Sequence, residues 1–208
     1  MQALGGLAAN ELTLERGGRE LFRALGFRAR AGEVISVEGP NGAGKTSLLR
    51  LLAGFVQQAS GTITLTASDG IEISDAEERG KFIGWLGHQD GVKPQLTSFE
   101  NLAFYSHLCG CTGDIAAALA EVGIARARDL PAQYLSAGQK KRVALARLKL
   151  SGRPLWLLDE PLASLDAAGK ALAARFIQDH CRAGGIAIAA THEPLGIECF
   201  RLVLGETP

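Results

Sequence analysis

The sequence predicts an α/β fold, a parallel or mixed sheet flanked by helices, and three stretches carry that expectation. The first is Gly39-Pro40-Asn41-Gly42-Ala43-Gly44-Lys45-Thr46-Ser47, which fits the phosphate-loop pattern G-x-x-x-x-G-K-[ST]. The second is its context. Glu33–Glu38 is a short β-rich run, and an apolar helix from about Lys45 to Ala53 follows, so the order is strand, loop, helix. The third is Leu155-Trp156-Leu157-Leu158, too apolar to face water on either side, as in a buried parallel sheet. Together they describe a P-loop NTPase core.

The chemistry of the first stretch is that of anion binding. Backbone N–H groups wrap a polyphosphate, and glycine is required because Cβ atoms would block the approach. Residues Gly39, Pro40, Asn41, Gly42, Ala43, Gly44, Lys45, Thr46 and Ser47 are thus the candidate nucleotide cradle. Lys45 would reach the β- and γ-phosphates, and the Thr46 hydroxyl would ligate Mg²⁺. The positive end of the following helix points at the same anion.

Upstream, Leu12–Leu14 and Arg23–Arg30 read as strands, with turns at Gly17-Gly18 and Ala31-Gly32. Gly61–Ala67 alternates with period two, and Ser68-Asp69-Gly70 turns it into Ile71–Ile73, an antiparallel hairpin at the domain edge. Asp75–Arg79 is a short polar helix, and Phe82–Leu86 is a strand ending at Gly87-His88-Gln89. From Leu96 to Leu150 the signals are helical. Thr97 or Ser98 caps one helix through Leu108, Asp114 a second through Val122, and Ser136 a third through Leu150. This block reads as a helical subdomain, residues 89–150, inserted into an α/β core of 1–88 and 151–208. Ala167–Arg182 is the next helix, Gly185–Ala190 a buried strand, and Arg201–Leu204 a last strand.

A length of 208 residues suits one large domain, or one with a subdomain inserted. Its 22 basic and 22 acidic residues cancel, so no global field draws nucleic acid or anionic lipid. No apolar run is long enough to span a bilayer, and Met1-Gln-Ala-Leu-Gly-Gly-Leu7 lacks the charged start of a secretory signal. Work at a membrane would need another chain as anchor. Cys109, Cys111, Cys181 and Cys199 do not form a zinc-like set, and small buried thiols are the expected reading.

Leu155–Leu158 runs into Asp159-Glu160, acids at the end of a buried strand, where open α/β sheets bind ligands. Asp159 is placed to hold Mg²⁺ through water, and Glu160 to orient and deprotonate an attacking water. Leu135-Ser136-Ala137-Gly138-Gln139 resembles the L-S-G-G-Q signature of the ATP-binding-cassette ATPases. The same Ser-x-x-Gln spacing is a helix capping box, and both roles are compatible.

The resemblance covers essentially the whole chain and implies the ABC ATPase fold, ATP as ligand with Mg²⁺, and further roles. Gln89 is similar to the glutamine that senses Mg²⁺ and couples to a partner. Pro161, Ser164, Leu165 and Asp166 resemble the loop that communicates across a dimer, and His192 the histidine that contacts the γ-phosphate. In this family two copies face head to tail. Ser136, Ala137, Gly138 and Gln139 would therefore act on the nucleotide held by the other copy.

Val37–Gly54, Gly87–Lys93, Leu96–Tyr105, and Leu135–Gln139 with Arg142–Arg147 resemble the ATPase subunits of the bacterial haem-handling transporter of cytochrome c maturation. That implies integral membrane partner subunits and a peripheral place on the cytoplasmic face of the inner membrane. Another transporter ATPase (polysaccharide, drug or lipid), or a soluble ATPase of cofactor or iron–sulfur assembly, would carry the same motifs. Many members stack adenine on an aromatic residue. By position that residue falls near Arg16, whose guanidinium plane can also stack, while Phe22 reads as core. The irregular stretch Gln89–Leu96, with Gly91 and Pro94, is the expected mobile docking surface, with Phe99 and Tyr105 either exposed there or part of the helix core. Lys140-Lys141-Arg142, Arg147 and Lys149 are expected to form a solvated helix face.

Overall fold

The computed structural model describes residues 3–205. Met1, Gln2 and residues 206–208 lie outside it, and the signal-peptide expectation falls partly there. The strands form two sheets. The antiparallel sheet has the order β2-β1-β4-β5, from β1 (Leu4–Arg16), β2 (Arg19–Arg30), β4 (Ser60–Ala67) and β5 (Glu72–Ile73). The parallel sheet runs β6-β7-β8-β3-β9, from β3 (Val34–Glu38), β6 (Ile83–Leu86), β7 (Leu155–Asp159), β8 (Ile186–Ala190) and β9 (Phe200–Val203). Six α-helices accompany them among the described residues: α1 (Lys45–Leu52), α2 (Ala76–Gly80), α3 (Ser98–Cys109), α4 (Ile115–Glu121), α5 (Ala137–Leu150) and α6 (Ala167–Arg182).

The apolar strands are explained by what lies on each side. Alternate residues of a strand face opposite ways. Trp156, Leu158, Ala187 and Ala189 join Leu145, Leu148, Phe176 and Ile177 in one core. Leu155, Leu157, Ile186 and Ile188 join Leu48 and Leu52 and the inner face of the antiparallel sheet, Leu7, Leu12, Ile63 and Leu65, in the other. The block of α3–α5 does not close a core of its own. Leu102, Leu119 and Val143 belong to the first core, with the sheet.

Several expectations change. The first two strands are far longer than the short runs read from sequence. Gly5, Gly6, Ala8 and Ala9 have little β propensity, but β1 sits between β2 and β4 and is held by ladders on both edges. The basic face of α5 is not solvated. Lys141 is 4 % exposed at its side chain and pairs with Asp90 at 2.9 Å. Arg142 pairs with Asp166, and Arg147 stacks over the Tyr105 ring and donates to the carbonyls of Gly91 and Trp85. Only Lys149 of the set is exposed.

The stretch after Gln89 is irregular but clamped. Buried Asn101 accepts from Lys93 N–H and donates to the carbonyls of Lys93, Leu96 and Thr97, and Tyr105 donates to Gly91 O. Phe99 and Tyr105 are half-buried, and the exposed apolar residues of α3 are Phe104 and Leu108. Of the cysteines only Cys181 is buried, and Cys109 is exposed at the C-terminal end of α3.

One half-buried histidine makes stability depend on pH. His180 stacks on Trp156 (3.8 Å, 6°), and its Nε2 lies 3.2 Å from the carbonyl oxygens of Pro154 and Ile186. Two acceptors require the Nε2–H tautomer. Burial pushes its pKa down from 6.5 to about 4, against the two carbonyl contacts that favour the charged form. The unfolded chain therefore binds this proton more readily than the folded one. The contribution is complete above pH 6.5 and is lost as pH falls towards 4. Thermal unfolding midpoints of the wild type should drop over that window more steeply than those of His180→Gln. Parallel pH profiles would show that His180 is not the group responsible.

Candidate functional site

The C-terminal ends of β3, β7 and β8 meet at one edge of the parallel sheet, and the phosphate loop leaves from β3 there. Gly39 has φ 141°, and a Cβ on it would stand 2.3 Å from the Leu204 carbonyl oxygen, so the backbone turns where no other residue fits. Gly44, at φ 99°, is the N-cap of α1, with no side chain capping it and no acid in the first turn. The first amides of the helix are left for an anion. The Phe22 ring lies against Gly44 and is buried, so it supports the loop as core. Lys45 is 8 % exposed and bends back, donating to Gly39 O at 2.8 Å and Pro40 O at 3.1 Å.

Thr46 Oγ1 donates to Asp159 Oδ1 at 2.9 Å. Asp159 is buried at the last position of β7, in register with Ala190. Glu160 has φ 51° and donates its N–H to Ala190 O at 2.9 Å. A left-handed non-glycine residue costs about 1–3 kcal/mol and is held only when its surroundings over-determine it. Here the β7–β8 ladder does so and turns the carboxylate towards His192, whose Nε2 is 3.2 Å from Glu160 Oε1. His192 follows buried Thr191, whose hydroxyl donates to Glu193 O and accepts from Glu193 N–H. That tight turn leaves His192 half exposed.

One chain thus brings together Lys45, Thr46, Asp159, Glu160 and His192. Gln89 is exposed, and with Asp159 it lines a cavity of about 660 Å³ between β6 and the helical block. The other residues stand elsewhere. Ser136 is exposed and caps α5. Its Oγ accepts from Gln139 N–H, and Gln139 Oε1 accepts from Ser136 N–H. A Cβ on Gly138 would stand 2.8 Å from Ser164 O. Asp166 caps α6, accepting from Gly169 N–H and from Arg142, each at 2.8 Å. The Gly169 amide, then Arg142, hold its carboxyl below the usual range. Arg16 is exposed at the end of β1, opposite Arg19. Among the described residues no hydrogen bond or ion pair joins Arg16, Asp166, or Ser136, Ala137, Gly138 and Gln139 to residues 39–47.

Two supports escaped the sequence reading. Arg201 donates through Nε to Glu38 at 2.9 Å, tying β9 to the last residue before the loop. Lys141–Asp90 ties α5 to the residue after Gln89. Neither has a sequence signature, because each joins residues far apart in the chain.

The profile of the ABC transporter family matches residues 22–163. The chain belongs to this family. Among curated relatives of this ABC protein, the "Cytochrome c biogenesis ATP-binding export protein CcmA" of Rhodopseudomonas palustris (strain BisB5) is 48% identical over 200 residues, 96% of this chain and 98% of the relative. The protein of the same description from Nitrobacter winogradskyi is 47% identical over the same shares. That from Escherichia coli (strain K12) is 43% identical over 194 residues, 93% and 92%. Among solved structures, a bacterial Atm1-family ABC exporter with ATP bound superposes with a TM-score of 0.82 at 25% identity, over 99% of this chain and 38% of that one. An ATP-binding subunit of an ABC transporter superposes with a TM-score of 0.83 over 96% and 85%, and at 20% identity it shows the fold alone. The chain is an ABC ATPase, binding and hydrolysing ATP.

No helix among the described residues is long and apolar enough to cross a membrane.

Proposed function

We propose that this ABC ATPase is the ATP-driven subunit of an exporter for cytochrome c biogenesis, with haem as the handled group. Its full-length identity of 48% to a relative of that description carries the reading. Two copies would pair head to tail, each phosphate loop of residues 39–47 closing against the other copy's Ser136, Ala137, Gly138 and Gln139. Exposure of Ser136 and Ala137, with part exposure of Gly138 and Gln139, supports this. The Ser136 Oγ accepts one amide, which leaves its O–H free to donate to a phosphate. Asp166 would steady the same junction. Integral membrane subunits would dock at the cleft beside Gln89, and the ATPase would then lie peripherally on the cytoplasmic face of the inner membrane.

Within the site, Lys45 would leave the Gly39 and Pro40 carbonyls for the β- and γ-phosphates. Glu160 would orient the attacking water and take its proton, with His192 fixing Glu160 and reaching the γ-phosphate. The Thr46 hydroxyl, the Asp159 carboxylate and the nearby Gln89 side chain are hard oxygen donors suited to Mg²⁺. When bound, Mg²⁺ would offset charge on the β- and γ-oxygens.

Arg16 would cover the adenine face. Arg16→Ala should raise KM for ATP several-fold with little change in kcat, and an unchanged KM would remove it from that role. The whole reading is tested by affinity capture of the tagged chain from solubilised membranes. Multi-span proteins carrying haem are expected with it. Capture of membrane subunits that never carry haem, from cells making c-type cytochromes, would overturn the haem assignment.

A further inference from the structure

The cleft beside Gln89 is also lined by two thiols that ATP chemistry does not use. Cys109 is the last residue of α3, Gly110 follows in the left-handed conformation (φ 65°), and Cys111 N–H returns to Ser106 O at 2.8 Å. This is the closing hydrogen bond of a Schellman turn. The turn folds the chain back, and both thiols line the same cleft. Cys109 is exposed. Cys111 is half-buried and donates to Ser151 O at 3.6 Å. Arg147 and Arg153 line the same cleft, near Cys109 and Cys111 respectively. Positive charge and partial exposure mark reactive cysteines. Burial raises the Cys111 thiol above its usual range, with Arg153 acting against the shift, so the exposed Cys109 is the attacking thiol. Cys181 is buried, donates to Glu33 O, and is pushed up to about 11 by burial.

We propose that Cys109 and Cys111 form a reversible dithiol–disulfide site, closed by a small-molecule disulfide such as glutathione disulfide, on the wall of the cleft that holds Gln89. Exposure sets the order of steps. The Cys109 thiolate attacks one sulfur of the oxidant, releasing one thiol and leaving a mixed disulfide on Cys109. Cys111, having lost its proton, then attacks the Cys109 sulfur and expels the second thiol. Two electrons pass from the protein pair to the oxidant, and the two thiol protons leave on the two released thiols. A ring closed across one glycine is strained, and strained, exposed disulfides have the more oxidising potentials. The site is therefore open in a reducing glutathione pool and closes under oxidative load. Closure locks the last turn of α3 and changes the cleft. The effect on docking rests on the function proposed above, whereas the disulfide itself does not.

The test uses the full chain treated with glutathione disulfide, alkylated, cut with trypsin and weighed. The Lys93–Pro94 bond resists trypsin, so Cys109 and Cys111 fall together on residues 82–126, apart from Cys181 and Cys199. That peptide should become lighter by two hydrogens, resist alkylation, and recover with dithiothreitol. Cys111→Ser should trap glutathione on Cys109, and Cys109→Ser should take up several-fold less. A stable glutathione adduct on the wild-type chain without ring closure would overturn the proposal, as would equal reactivity of Cys181. In the membrane capture experiment, oxidised wild type should recover several-fold less of the membrane subunits than oxidised Cys109→Ser. Equal recovery with the disulfide shown present would overturn the docking effect alone.

Discussion

Glu160→Gln should lose ATP turnover by roughly 10²–10⁴-fold, the usual contribution of a positioned general base, and keep its affinity for nucleotide. The carboxylate lies on the hydrolytic side of the site, 3.2 Å from His192. The contacts available to grip phosphates come instead from residues 39–47 and the start of α1. Glutamine matches the shape of glutamate and can still meet His192, but it cannot accept a proton from water. The backbone at 160 is left-handed for either residue, so the strain at φ 51° is unchanged and folding should not suffer. Binding is read by thermal shift, since ATP at a hundredfold over its Kd adds about 2.7 kcal/mol to stability. Phosphate release gives the rate. Lys45→Ala is the converse control, losing the ATP-induced shift. A Glu160→Gln protein that hydrolyses ATP at the wild-type rate would take Glu160 out of the role.

The elements legible in the sequence are those whose causes are local. Thr97, Asp114, Ser136 and Asp166 each accept an amide from three residues on, so their helices start where the capping residue stands. The phosphate loop, the acids after β7 and the signature are contiguous strings and could be read directly. What was missed depends on tertiary partners. Gly6 lies in a strand because Arg30 and Thr66 pair with it from the two sides. Lys141 looks like a surface residue until Asp90 is brought under it, and a buried pair of this kind is invisible to charge patterning along one helix. Likewise, the spacing of α3 could not decide which of its aromatic residues faces out. Phe104 is exposed, whereas Tyr105 is held inward by Gly91 O and Arg147.

Mixing two dead variants should restore turnover, and the arithmetic of symmetry says how much. Ser136→Arg puts bulk and charge where a phosphate from the other copy would sit, and Lys45→Ala empties the phosphate loop. Each homodimer then has no working site. A mixed pair has one site made from the intact loop of the Ser136→Arg copy and the intact signature of the Lys45→Ala copy, and a second site damaged twice. Equal mixing makes half the pairs mixed, so independent sites give about a quarter of wild-type activity, and coupled sites give less. The double variant carrying both changes in one chain is the discriminating control. Mixed with wild type, it spoils both sites of every mixed pair and should only inhibit. Ser136→Arg also removes the α5 cap, at about 1 kcal/mol, so its fold is checked by circular dichroism before mixing. Rescue by the separate variants together with inhibition by the double variant requires a site shared between copies. If neither mixture departs from the sum of its parts, each chain works alone, and the exposed turn at Ser136–Gln139 has some other partner.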